Sequence, residues 1–75
     1  MLIEPSYKGF RIEVNAVHNG HHFNAEVRVR QHAVNAKPRV EVVTCLKPTA
    51  EYAERAGEVW AKRWIDRWIG LNADT

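Results

Sequence analysis

The sequence predicts an α+β fold, in which a three-stranded antiparallel meander (β-β-β-α) carries one carboxy-terminal helix packed on one of its faces. Two alternating polar and apolar runs flank a turn dipeptide, a β-branched run follows them, and the last third of the chain has helical spacing. The 75 residues suffice for one core, so 1–75 is predicted to be a single domain. The predicted strands span about 7–18, 21–30 and 39–46, and the predicted helix spans about 50–71.

The first two strands are predicted to form a hairpin. Asn19-Gly20 tolerates the positive φ angles of a type I′ turn, so these two residues are expected to be the loop. With that loop, the paired apolar residues lie on the face that meets the helix. The paired polar residues, such as Arg11 opposite Arg28, lie on the open face. The expected apolar pairs are Phe10 with Val29, Ile12 with Val27, Val14 with Ala25, and Ala16 with Phe23.

The third strand follows a predicted loop over 31–38 and is rich in β-branched residues. Alternation predicts one inward and one outward face, whereas the register against the second strand does not follow from the pattern. The inward residues are predicted to be Val40, Val42 and Thr44, and the outward residues Arg39, Glu41, Val43 and Cys45.

The helix is predicted to begin after Pro48, which interrupts the strand, with Thr49 as its N-cap. At about 100° per residue the apolar residues form one arc, in which Trp60 is expected to be buried against the sheet. Gly57 lies in this arc, where the missing side chain lets another backbone approach closely. The arc comprises Tyr52, Ala53, Ala56, Val59, Trp60, Trp64, Trp68 and Leu71.

Three segments carry a resemblance to known proteins: Tyr7-Lys8-Gly9-Phe10-Arg11-Ile12, Phe23-Asn24-Ala25-Glu26-Val27, and Thr49-Ala50-Glu51-Tyr52-Ala53, followed by Trp64-Ile65-Asp66. In these segments the chain resembles short uncharacterised bacterial β-β-β-α proteins. It is also distantly similar to the amino-terminal domain of HicB-type antitoxins. The resemblance implies a meander with one helix across it, of the double-stranded-RNA-binding-domain class.

Composition and charge favour a cytoplasmic domain. The formal charge of +2 is only mildly basic, which by itself indicates no nucleic-acid partner. The single cysteine, Cys45, cannot form an internal disulfide, as a small secreted domain usually would. The start of the sequence lacks the apolar run of a signal peptide, and no apolar stretch approaches membrane-spanning length.

No pattern indicates catalysis, so we expect no enzyme, no catalytic residue and no cofactor. Glu13 and Glu26 lie on the open face near arginines, which favours a neutralised surface over a catalytic carboxylate pair. His18, His21 and His22 cluster at the turn. The predicted register brings His18 opposite His21, which leaves a shared metal ion as the alternative to a solvated cluster.

The helix end suggests a function. A helix over 50–71 would be about 33 Å long, whereas strands of this kind reach about 20 Å, so its last turns should extend past the sheet. The repeat Arg63-Trp64-Ile65-Asp66, Arg67-Trp68-Ile69-Gly70 makes those turns apolar around much of their girth, because Ile65 and Ile69 are predicted to point away from the face that carries Trp64 and Trp68. We therefore predict a non-catalytic protein-interaction or self-association module, a homodimer or a binder of another protein, that uses Trp64, Ile65, Trp68 and Ile69.

A nucleic-acid-binding domain is the alternative function. Four arginines could form a basic stripe on the open sheet face and contact phosphates. Interleaved glutamates weaken that stripe, and a solvated face is its plain interpretation. The four arginines are Arg11, Arg28, Arg30 and Arg39.

Overall fold

The structure, a computed structural model, describes residues 1–33 and 37–73, with side chains to Leu71, as an antiparallel sheet and one carboxy-terminal helix. This confirms the α+β class, but the described part of the chain has four strands where three were predicted. Residues 34–36 of the predicted loop lie outside the described residues. The elements are β1 Leu2–Tyr7, β2 Phe10–Asn19, β3 His22–Gln31, β4 Arg39–Lys47 and α1 Ala50–Ala73, with sheet order β1-β2-β3-β4.

The strand that the sequence did not predict is β1. Lys8 and Gly9 form its loop with β2 and have φ angles of 50° and 86°, the two positive values of a type I′ turn. Pairing with β2 is irregular near Pro5, which a sheet tolerates at an edge strand. Lysine rarely adopts a positive φ angle and proline is rare within strands, so the sequence does not indicate this hairpin.

The predicted register between β2 and β3 is wrong by two residues. Asn19 belongs to β2 and faces His22, so the loop is Gly20-His21, with Gly20 at φ 64° as in a type II′ turn. A shift of two keeps every side chain on its face, and the apolar inner face is therefore confirmed. The observed pairs include Phe10 with Gln31, Ile12 with Val29, Val14 with Val27, and Ala16 with Ala25.

The predicted faces of β4 are reversed. Val43 lies opposite the buried Ala25, so it turns toward the helix together with Cys45. Val40 and Val42 lie on the open face and are 47% and 59% exposed. The adjacent Val42 and Val43 make either face partly apolar, so pairing with β3 decides the orientation.

α1 crosses the sheet on a stripe of small residues. Ala53, Gly57, Ala61 and Ile65 recur every four positions and are all buried. A Cβ on Gly57 would lie 2.6 Å from a methyl of Val14, so the missing side chain permits the close approach. This confirms the packing role predicted for Gly57.

The predicted arc of α1 is therefore centred on the wrong residues. Tyr52, Val59 and Leu71 are exposed, and Trp60 is only partly buried. Helix and sheet approach each other along the small residues, which leaves the larger tryptophans on one flank of the contact. Among the described residues, the buried apolar side chains are those of Phe10, Ile12, Val14, Ala25, Val27, Val29, Ala53, Ala61 and Ile65.

Candidate interaction surface

The four residues predicted at the helix end do not form one surface. Ile65 is 0% exposed, because it continues the buried stripe one turn after Ala61, and its predicted outward orientation is wrong. Ile69 is partly buried against the core, and so is Trp64. Trp68 is 37% exposed, and its ring stands edge-on to Phe10 at 5.6 Å between centroids. The helix end thus closes one end of the core.

The four predicted arginines are divided between the two faces of the sheet. Arg11, Arg28 and Arg30 line a shallow depression on the open face, where an oxygen of Glu13 lies 3.2 Å from the Arg11 guanidinium. Arg39 lies on the helix side, because the faces of β4 are the reverse of those predicted. The predicted stripe is therefore reduced to three arginines.

The free edge of β4 is the first part of the candidate interaction surface. Within residues 1–33 and 37–73, β4 pairs with β3 alone, and its outer backbone edge has no neighbouring strand. Val40 and Val42 project from the open face beside that edge. The strand sequence 39–47 contains no proline, and an edge of this kind can accept a further strand.

A groove between α1 and the start of β4 is the second part of this surface, and β4 contributes Arg39 to its lining. Its wall on α1 contains Trp60, Arg63, Trp64 and Arg67, and Trp64 continues into a second stretch with Lys37 and Arg39. The Arg39 guanidinium carbon lies 5.5 Å from the Trp64 ring centroid, in cation–π range. We call this feature the tryptophan groove and define it by Trp60, Trp64, Trp68, Lys37, Arg39, Arg63 and Arg67.

The tryptophan groove carries surplus positive charge. Arg39 pairs with Glu41 at 2.7 Å, along its own strand. Among the described residues, no carboxylate lies within 4.0 Å of the charged groups of Lys37, Arg63 or Arg67. An anionic group entering the groove would thus meet cations that make no ion pair of their own.

The opposite flank of α1 is ion-paired. Lys8 Nζ lies 2.7 Å from Asp66, which also accepts a hydrogen bond of 2.9 Å from the Tyr7 hydroxyl. The hydrogen bond from Lys8, followed by the one from Tyr7, holds the pKa of Asp66 below its usual value, and Asp66 raises the pKa of Lys8. The terminal amine of Met1 pairs with Glu54 at 3.1 Å.

The histidines at the turn are not arranged as predicted. His18 faces Phe23, with ring centroids 4.3 Å apart, whereas His21 lies in the loop. In the described part of the chain, no group of three or more His, Cys, Asp or Glu side chains could hold a metal ion. The thiol of Cys45 lies 3.5 Å from the carbonyl oxygen of Phe23, to which it donates a weak hydrogen bond.

Sequence reasoning missed Trp60, Arg63 and Arg67 as lining residues of the tryptophan groove. The signal was present, because Arg63 and Arg67 are four apart, as are Trp60 and Trp64, so each pair shares a side of the helix. Only the orientation of β4 reveals that these residues adjoin a free strand edge.

Comparison with protein-family models, with curated proteins and with solved structures gives no significant match to this chain. The resemblance to HicB-type antitoxin domains therefore stays a prediction. No helix in the described residues is long and apolar enough to cross a membrane.

Proposed function

We propose that the protein is a non-catalytic interaction module of the cytoplasm that binds a protein, another chain or a second copy of itself, along β4. The observation that carries this proposal is the free edge of β4, with exposed valines on one side and the tryptophan groove on the other. A strand added there would gain main-chain hydrogen bonds, and its alternate side chains would meet the two faces.

The expected affinity is modest. Burial of the exposed parts of Val40 and Val42 contributes roughly 1 kcal/mol each. Contacts with the partly buried tryptophans add to this gain, and immobilisation of the partner opposes it. These magnitudes suit a reversible interaction of the kind seen in small interfaces.

Two matched lysine substitutions test the proposal. Val42 of β4 faces Glu26, and Ile3 of β1 faces Glu13, so each new lysine would lie opposite a glutamate on the same open face. A lysine on an edge strand discourages strand addition. Val42→Lys should weaken binding at least about tenfold, whereas Ile3→Lys, at the other edge, should change it less than about threefold.

Two measurements apply to both variants. Affinity capture from a cell extract compares partner recovery, and sedimentation equilibrium at high micromolar concentration detects a second copy. Circular dichroism melting verifies that each variant folds. Equal recovery and equal mass for the parent and Val42→Lys proteins would show that β4 is not the interface.

Nucleic-acid binding on the open face is the second candidate function. The depression lined by Arg11, Arg28 and Arg30 supports it, because guanidinium groups contact phosphates. Three such contacts on a single strand give a salt-dependence slope of roughly −2. Arg28→Glu with Arg30→Glu should abolish that binding and leave the fold intact. If the unmutated protein has no measurable affinity for RNA or DNA at low salt, this candidate is wrong.

A further inference from the structure

We infer that the partner of β4 is an acidic, extended protein segment that joins the sheet as a fifth strand and places its carboxylates in the tryptophan groove. This inference rests on the proposed function and names the chemistry of the partner. Three features support it: the charge of the groove, the residues on the two faces of β4 and the partial burial of the tryptophan rings.

The charge of the groove favours an acidic partner over a second copy. Four cations line the groove, and Arg39 is the one whose acidic partner, Glu41, is found among the described residues. The whole sequence has a formal charge of only +2, whereas this groove alone holds four cations and Glu41 pairs with one of them. A second copy paired along β4 would bring the same cations to the interface, and its Glu41 carboxylate already pairs with its own Arg39.

The two faces of β4 define the sequence character of the segment. Side chains of an added strand alternate between the open face and the helix face. On the open face they would lie beside Val40 and Val42, which favours apolar residues. On the helix face they would approach Arg39 and the groove at the start of β4, which favours aspartate or glutamate there, and then Glu41, Val43 and Cys45. The segment should therefore place apolar residues on the open face and acidic residues on the helix face where it passes Arg39 and the groove.

A protein segment fits these features better than a single-stranded nucleic acid does. Base stacking requires exposed ring faces, but Trp60 and Trp64 are partly buried and the Arg39 guanidinium lies over the Trp64 ring. The free backbone edge of β4 can form a regular ladder of hydrogen bonds with another peptide backbone. Nucleic-acid bases do not supply such a ladder.

Short synthetic peptides provide the probes. The test peptide alternates glutamate and valine over about eight residues, with both termini blocked to remove their charges. Control peptides replace glutamate with serine or with lysine, and oligothymidylate represents single-stranded nucleic acid. Titrations are followed in ¹H–¹⁵N spectra, which report on backbone amides and on the indole groups of the tryptophans.

The glutamate peptide should shift the amide signals of β4 and the indole signals of Trp60 and Trp64. It should bind at least about tenfold more tightly than the serine peptide, and the lysine peptide should not bind. Arg63→Glu with Arg67→Glu should reduce its affinity about tenfold or more. Arg28→Glu with Arg30→Glu, the same charge change on the open face, should reduce it less than about threefold.

Each other outcome overturns a defined part of the account. If the serine peptide binds β4 as well as the glutamate peptide does, the acidic partner is wrong and the interaction module stands. If oligothymidylate occupies the groove in place of the peptide, the ligand is a nucleic acid and the inference is wrong. If no peptide binds, the inference is also wrong, and the Val42→Lys capture experiment alone decides the proposed function. Arg63→Gln with Arg67→Gln replaces the double glutamate variant if that variant does not fold.

Discussion

The two edges of the sheet differ in how they are protected, although the same helix covers the residues between them. Beside β1, Asp66 binds Lys8 and Tyr7, and the pairing is irregular near Pro5. The β4 strand contains no proline. Among the described residues, no carboxylate lies within ion-pair distance of Arg63 or Arg67, which neighbour β4. Both strands leave their outer backbone edge without a neighbouring strand among the described residues, and β4 is also irregular, with Leu46 at φ 48°. The two edges therefore differ chiefly in charge, because ion-paired groups lie beside β1 and, in the described part of the chain, unpaired cations lie beside β4.

The difference between the two edges shows that a chain with a small net charge can carry its acidic and basic groups on opposite sides. The acidic groups Glu54, Glu58 and Asp66 project from one flank of α1, where each is paired with a cation. The cations Arg63 and Arg67 project from the other flank. The position of the helix axis over the sheet therefore determines which edge becomes positive.

A change at Ile65 should have the largest effect, because Ile65 fixes the carboxy-terminal half of α1 over the sheet. It is wholly buried, so Ile65→Ala should cost about 3 kcal/mol of folding free energy. Trp60→Ala should cost less, because Trp60 is only partly buried. Urea denaturation of both variants measures the two costs. A larger loss for Trp60→Ala would mean that the tryptophan flank is core and is not available as an interface.

Gly57 sets the distance between α1 and the sheet. A Cβ at this position would lie 2.6 Å from Val14 Cγ1 and 2.8 Å from Ala25 Cβ, so Gly57→Ala should cost about 2 kcal/mol despite the better helix propensity of alanine. Gly70→Ala is the matched control, since nothing lies within 4 Å of its Cβ, and it should stabilise by up to about 1 kcal/mol. Thermal melts of both variants measure the two changes. If both substitutions changed the stability in the same direction, the close approach of α1 to the sheet at Gly57 would be contradicted.

The pair of Asp66 and Lys8 should give the smallest effect, because both groups are exposed. The lowered pKa of Asp66 means that its contribution to stability is lost as the pH falls through that pKa. The raised pKa of Lys8 means that the contribution is lost as the pH rises through the pKa of the amine. The contribution is therefore present between about pH 4 and pH 10.

Asp66→Asn should lower the melting temperature slightly at pH 7, and the difference from the parent should disappear in strong acid. Melting both proteins between pH 7 and pH 2 measures this difference. A difference that stays constant over the whole range would show that the charge of Asp66 does not contribute to stability through Lys8.

The sequence predicted the faces of the hairpin well, and it predicted its pairing poorly, for one physical reason. Side chains alternate with a period of two, so the shift caused by the Gly20-His21 loop leaves Ile12 and Val27 on the inner face. Asn19-Gly20 and Gly20-His21 both supply a glycine for the positive φ angle. The dipeptide therefore indicates a turn without fixing its loop residues.

The orientation of β4 and of α1 depends on contacts between distant parts of the chain. Val42 and Val43 offer an apolar residue to either face, and only pairing with β3 selects Val43 for the core. Helical periodicity predicted that large residues such as Trp60 would be buried against the sheet. Close helix–sheet packing instead buries the small residues Gly57 and Ala61. The interaction surface follows from both choices, so the Arg-Trp repeat could be recognised in the sequence but not placed beside a strand edge.

Photo-crosslinking inside cells can show which edge of the sheet contacts a partner, because it needs no knowledge of that partner. A benzophenone amino acid replaces Val42 on β4 in one variant and Ile3 on β1 in the other, two exposed positions on the same face of opposite edges. After irradiation, mass spectrometry identifies the attached chain. We expect position 42 to capture another protein and position 3 to capture little. Equal capture at the two positions, or capture at position 3 alone, would contradict binding of the partner along β4.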